Sequence, residues 1–166
     1  MNHADKASWR RDLRLAVISV SAVAAASIIG QLATLPNLPL WYAGLAKPSF
    51  NPPDWIFAPV WTALYVLMAF AIWRVLRLPE TSTARRFALT LFFLQLTLNA
   101  AWSLMFFGAH SPLLGMLNIV PQWILILGTV FMFYRLDRIA AWCLVPLAAW
   151  VAFAIALNFM ILKLNT

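Results

Sequence analysis

Apolar positions in this chain come in five long runs, each bounded by arginine, proline or a short polar cluster. Residues 13–35 form the first. At 1.5 Å per residue a helix of that length reaches about 34 Å, enough to cross a hydrocarbon core of about 30 Å. Further runs follow at residues 55–78, 86–108, 112–134 and 139–162. The break at residues 109–112 is so short that the third and fourth spans should form an antiparallel hairpin, and Arg135, Asp137 and Arg138 mark the next turn. The pattern predicts an all-α membrane protein: one five-transmembrane-helix bundle over residues 13–166, preceded by a basic segment, 1–12, in which Trp9 can anchor at the interface.

The break between the first two spans, residues 36–54, is unlike the others. The stretch WYAGLAKPSFNPPDWIFAPVWTALY, residues 41–65, holds Trp41, Trp55 and Trp61 together with Pro48, Pro52, Pro53 and Pro59. Proline fixes φ, lacks an N–H and biases the residue before it toward an extended backbone. Residues 41–54 should therefore form an ordered, non-helical loop packed by its own rings. Pro59 is tolerated in the first turns of a second helix starting near Trp55. A floppy connector would be rich in Gly and Ser; this one reads as a lid, with Trp41, Lys47, Pro48, Pro52, Pro53 and Trp55 as its candidate residues.

Composition strengthens the membrane reading. The chain is 64% hydrophobic and 10% charged, against about 45–50% and 25% in soluble domains. The net charge of +7 would suggest nucleic acid in a soluble protein, but here the cations sit at span ends, where they act as topology signals and headgroup contacts. Of the 12 Lys and Arg, Lys6, Arg10, Arg11, Arg14, Arg74, Arg77, Arg85, Arg86, Arg135 and Arg138 fall on one side and only Lys47 and Lys163 on the other. The positive-inside rule then places the N-terminus in the cytoplasm and the 41–65 loop outside. The first run is too long for the h-region of a cleavable signal peptide, and a set of helical spans points to a cell membrane of the bacterial type rather than an outer-membrane barrel. Cys143 stands alone in an apolar run, and His3 and His110 are far apart, so no disulfide or metal site is expected. No span carries a charge at its centre, and no nucleophile–base pair or phosphate-binding loop is present, so conventional acid–base catalysis and ion relays have no residues to work with.

The spans do carry polar faces. Gln95, Asn99 and Ser103 recur at i, i+4 and i+8 in the third, with Trp102 and Phe106 on the same stripe. In the fifth, Trp142, Pro146, Trp150, Ala154 and Asn158 follow one line. Trp61 and Tyr65 pair at i, i+4 in the second, and Ser27 and Gln31 do so in the first, on a face turned toward other helices. Unpartnered amides are costly in hydrocarbon, so these faces should point inward. One reading is that they only join helices, at about 0.6–2 kcal/mol per hydrogen bond. The other is that Trp61, Tyr65, Trp102 and Trp150 turn into one cavity, where a large aromatic ring system finds stacking surfaces and a few orienting polar groups. Trp9, Trp73 and Trp142, near span ends, fit an interfacial belt instead.

Four stretches, WYAGLAKPSFNPPDW, FAPVWTALY, QLTLNAAWSLMFFG and VPLAAWVAFAIALNF, carry a resemblance to a known family across about residues 41–159. The chain resembles the TspO/MBR family of tryptophan-rich sensory proteins and translocator proteins (peripheral benzodiazepine receptors). The resemblance implies a five-helix bundle, often a homodimer, whose cavity is closed by the first loop. It implies binding of porphyrins such as protoporphyrin IX, haem-pathway intermediates and benzodiazepine or isoquinoline carboxamide ligands, with no resident cofactor and no nucleic acid. By motif position the ligand-binding residues look like Tyr42, Trp61, Tyr65, Asn99, Trp102, Trp150, Ala154 and Leu157, with Ser103 added from its place on the third-span stripe. Membrane lipid, and in some members sterol, are further partners; here Leu157, Phe159 and Lys163 keep the flanks of the sterol-recognition pattern, but Phe159 stands where the pattern has Tyr. Some members degrade protoporphyrin in light, a reaction assigned to two tryptophans that look like Trp61 and Trp150. A receptor or carrier, a light-dependent enzyme and a scaffold acting through partner proteins are thus the alternatives.

Overall fold

A computed structural model describes residues 3–166 of the chain, with side chains from Ser8 onward; the side chains of His3 and Lys6 lie outside the described residues. Five helices, α1 (His3–Thr34), α2 (Phe57–Leu76), α3 (Thr83–Ser103), α4 (Pro112–Leu136) and α5 (Arg138–Leu164), follow in order. Each is long and apolar enough to cross a membrane.

Two boundaries differ from the sequence expectation, both in the first span. Residues 3–12 are helical and continuous with the span, because HADKASWRRD contains neither proline nor glycine to break a helix. At the other end the chain stays helical beyond residue 35, through a 3-10 turn at Leu35–Asn37 and a π turn at Leu38–Tyr42. Trp41 and Tyr42, expected in the non-helical loop, therefore sit on a helical extension. Pro36 and Pro39 each fall within the first two positions of a new short turn, where a missing N–H costs nothing. They change the winding without ending it. The non-helical connection shrinks to about residues 45–53, and a 3-10 turn at Asp54–Ile56 leads into α2, with Pro59 in its first turn.

The helices pack as a closed ring in the order α1, α2, α5, α4, α3, back to α1. Although α2 and α3 are consecutive, they touch little. Their link is held by Arg85, whose Nε and Nη2 donate to the carbonyls of Val75 (3.2 Å) and Leu76 (2.9 Å) at the end of α2. A cation satisfying the orphan carbonyls of a helix C-terminus is favoured by both hydrogen bonding and the dipole. The α3–α4 hairpin turns at His110, whose φ of 51° is the left-handed conformation of a tight reversal. Ser111 then caps α4 by accepting from the Leu114 N–H, as Ser82 caps α3 and Asp137 caps α5.

The ends of the ring differ in chemistry. At the arginine-rich end, Arg74 binds Asp137 (2.8 Å) and Arg77 binds Asp12 (3.0 Å), tying α2 to the α4–α5 turn and to α1. Between that end and mid-span lies a dense core of Met68, Ile72, Phe92, Ile126, Phe133 and Leu144. Toward the other end the helices enclose space.

Candidate functional site

A cavity of about 310 Å³ opens inside the loop-side half of the bundle. That volume lies at the lower end of the range usual for small-molecule sites. All five helices contribute wall. Ser27 and Gln31 come from α1 with Tyr42 on its extension, Trp61 and Tyr65 from α2, and Asn99, Trp102 and Ser103 from α3. Ile119 and Gln122 belong to α4, and Trp150, Ala154, Leu157 and Asn158 to α5. Every residue named from the sequence as a ligand contact thus meets the same space: Tyr42, Trp61, Tyr65, Asn99, Trp102, Ser103, Trp150, Ala154 and Leu157.

Hydrogen bonds across the ring orient the walls. Tyr65 donates its hydroxyl to Asn99 Oδ1 (2.9 Å), fixing α2 against α3. Trp102 donates its indole N–H to Asn158 Oδ1 (3.1 Å), while Asn158 Nδ2 donates to the Pro112 carbonyl (2.8 Å). One asparagine thereby joins α3, α4 and α5. Gly115 makes this possible, since a Cβ there would stand 2.8 Å from both Asn158 Oδ1 and Phe106 Cδ2. The rings also support one another. Trp102 stacks on Phe106 (4.9 Å, 18°), Trp61 leans on Tyr65 (5.5 Å), and Trp150 meets Phe57 edge-on (5.9 Å).

None of the six lid candidates lines the cavity. Trp41 packs edge-on against the wall residues Phe106 and Phe107 and stacks on His110 (4.9 Å, 16°), whose Nε2 is 2.6 Å from Asn37 Oδ1. Lys47 lies over the Tyr42 ring at 4.4 Å. The connection is clasped to the end of α5 by two hydrogen bonds between Ala46 and Asn165 (3.0 and 2.9 Å). Pro48 is buried, but Pro53 is exposed and Trp55 is 73% exposed. Past the helical extension, Asp54 meets the cavity just before α2 begins.

The wall is thinnest between α1 and α2. The lining residues with high exposure, Gln31, Leu35, Asp54, Ala58 and Thr62, all flank that seam. At its edge Gln31 Nε2 donates to Ser27 Oγ (2.9 Å), and Ser27 also hydrogen-bonds with the Tyr65 hydroxyl of α2. At the arginine end α1 and α2 are tied further, where Trp73 donates to the Asp12 carbonyl (3.2 Å) and Arg11 to the Arg77 carbonyl (2.8 Å).

Two sequence lines break up on the structure. Along α5, Trp150, Ala154 and Asn158 reach the cavity, but Trp142 and Pro146 are exposed. Each i+4 step overshoots a full turn by about 40° at 3.6 residues per turn, so five such residues sweep off one face. Leu157 faces the cavity while Phe159 and Lys163 are exposed on another side of α5, which separates the two flanks of the sterol pattern. Wall residues not singled out from the sequence include Gln122. The signal was present as Asn118 and Gln122 at i, i+4 in an otherwise apolar span.

An integral, multi-pass helical membrane protein with an aromatic, sparsely polar cavity inside its bundle is the class these features define. The chain belongs to the TspO/MBR family, whose sequence model matches residues 18–164. It is 46% identical over 125 residues to the Tryptophan-rich protein TspO of Chlorobaculum tepidum, covering 75% of this chain and 79% of that one. It is 35% identical to the Tryptophan-rich sensory protein of Cereibacter sphaeroides (75% and 77% covered) and 38% identical to the Translocator protein of Sus scrofa (75% of each).

Proposed function

We propose that this protein is a membrane receptor or sensor that binds tetrapyrroles, protoporphyrin IX and haem-pathway intermediates among them, and smaller aromatic ligands of the benzodiazepine and isoquinoline type, in the cavity between its helices. The observation that carries this reading is the wall itself. Three indoles, Trp61, Trp102 and Trp150, and two phenols face one space with a few amides and no cation, the mix that stacks and orients a flat apolar ring. Relatives named as a sensory protein and a translocator support it. The thin wall between α1 and α2 would let part of a larger macrocycle protrude and would let ligand arrive through the bilayer. The arginine-rich end faces the cytoplasm in this proposal; a cysteine replacing Ser49, in a Cys143→Ala background, should label only from the opposite side.

A second reading rests on Trp61 and Trp150 both lying on the wall, where oxidisable indoles would flank a photosensitising ring. Titration of the purified protein with protoporphyrin IX in the dark and in light separates the two. Saturable quenching of tryptophan fluorescence in the dark is the outcome expected of a receptor. Loss of porphyrin absorbance in light adds degradation. If neither occurs, both readings fail and a scaffold role remains.

A further inference from the structure

Two kinds of buried amide occur in this bundle. Asn99 and Asn158 are tied by cross-helix bonds. Gln95, Asn118 and Gln122 are not. Gln95 is 1% exposed and Gln122 2%, yet among the described residues neither polar atom of Gln95 has a hydrogen-bond partner, and Asn118 Oδ1 has none either. Gln122 meets the cavity and is held by no side-chain bond to another described residue. Gln95 lies one turn before Asn99 on α3, and Asn118 one turn before Gln122 on α4. All four amides are buried residues of α3 and α4, the two helices of the hairpin.

Buried polar groups are almost always paired, because an unpaired amide forfeits its hydration with nothing in return. In a membrane the loss is no smaller, since lipid offers no partner. A leucine at these positions would pack the hairpin without that penalty. We infer that Gln122, backed by Gln95 and Asn118, is a polar subsite at the α3–α4 side of the cavity, built to hydrogen-bond a neutral ligand group that both donates and accepts, such as a carboxamide, a lactam or an un-ionised carboxyl. Primary amides carry two donors and an acceptor and match such a group in both senses. No cation lines the cavity, so an ionised carboxylate would lack the counter-charge its burial needs. The subsite deepens the proposed function and rests on it: the indoles take the ring, and the amides select its substituent.

The test uses three probes with one aromatic body: 1-naphthamide, N,N-dimethyl-1-naphthamide and 1-methylnaphthalene, each titrated against the full-length protein in lipid nanodiscs by tryptophan quenching. Wild type should prefer 1-naphthamide over the other two by about tenfold, the scale of a well-made neutral hydrogen bond. Gln122→Leu should bind all three alike. Gln95→Leu should narrow the preference while leaving the melting temperature equal or higher, since it replaces an unpaired amide by an apolar group. Naphthalene binding without preference in wild type, or a preference that survives Gln122→Leu, would overturn the subsite and leave the aromatic cavity standing. Failure of all three probes to bind would overturn the cavity reading with it. A fall in melting temperature in Gln95→Leu with unchanged preference would show that the amide only joins α3 to α4.

Discussion

The two halves of the bundle are built from the same five helices and do opposite things. In the arginine-side half Phe92 and Phe133 lie parallel at 5.9 Å among Met68, Ile72, Ile126 and Leu144, and no side chain of this group is more than 1% exposed. In the other half the largest side chains, Trp61, Trp102 and Trp150, are only partly buried, because they stand around space instead of filling it. Aromatic rings are not the difference, since both halves are rich in them. What differs is whether a ring's faces meet other side chains or the cavity. The dense half can hold the helices together while the hollow half stays open.

That contrast predicts unequal mutational costs. Phe133→Ala, at a site with no exposure, should lower stability by about 3–5 kcal/mol, seen as a steep fall in melting temperature, with ligand affinity in the surviving folded fraction little changed. Trp150→Ala should do the reverse. It loses a stacking partner worth roughly 0.5–1.5 kcal/mol beyond its area, so protoporphyrin affinity falls several-fold or more while the melting temperature moves less than for Phe133→Ala. A Trp150 variant that melts early and binds normally would erase the distinction between the halves.

Smaller effects probe the two ends. Pro52 and Pro53 stand outside the cavity wall, and converting both to Ala should cost roughly 0.4–1 kcal/mol per site through greater freedom of the loosened loop. Stopped-flow release of a porphyrin should quicken, whereas a small pocket ligand that does not reach the loop should leave at the wild-type rate. At the opposite end, burial disfavours the Asp137 carboxylate, but hydrogen bonds from Arg74 and the Ala140 and Ile139 N–H groups outweigh it and hold its pKa below the ordinary 3.8. A depressed pKa adds stability above the unfolded value that is lost as pH falls through the folded one. Wild type should therefore melt slightly above Asp137→Asn at neutral pH, and the gap should close below about pH 4. A gap that persists in acid would assign the difference to something other than the carboxylate's charge.

Much of this was legible in the amino acids. Span positions followed from apolar run length, and the hairpin from the brevity of residues 109–112. The cavity residues on α2, α3 and α5 came from i, i+4 spacing and from the family motifs. The reach of α1 was not legible, because the first apolar run stops at residue 35, and only the three-dimensional winding shows Pro36 and Pro39 each seated at the start of a turn. Nor was the ring order, in which α2 touches α5 more than its neighbour in sequence, α3. The lid residues were placed near the site but not on it, since sequence proximity to Tyr42 and Trp61 says nothing about which layer a side chain occupies.

The thin seam between α1 and α2 has a further consequence for how occupancy responds to supply. A cavity that exchanges with hydrocarbon samples the ligand's mole fraction in the bilayer, and water acts only as a distant reservoir. Adding empty vesicles would strip such a receptor by diluting its ligand among more lipid, even with the total aqueous dose unchanged. Diluting the whole suspension would scarcely alter occupancy for a ligand that stays in the membrane. The protein would then report how crowded its own membrane is with flat aromatic molecules.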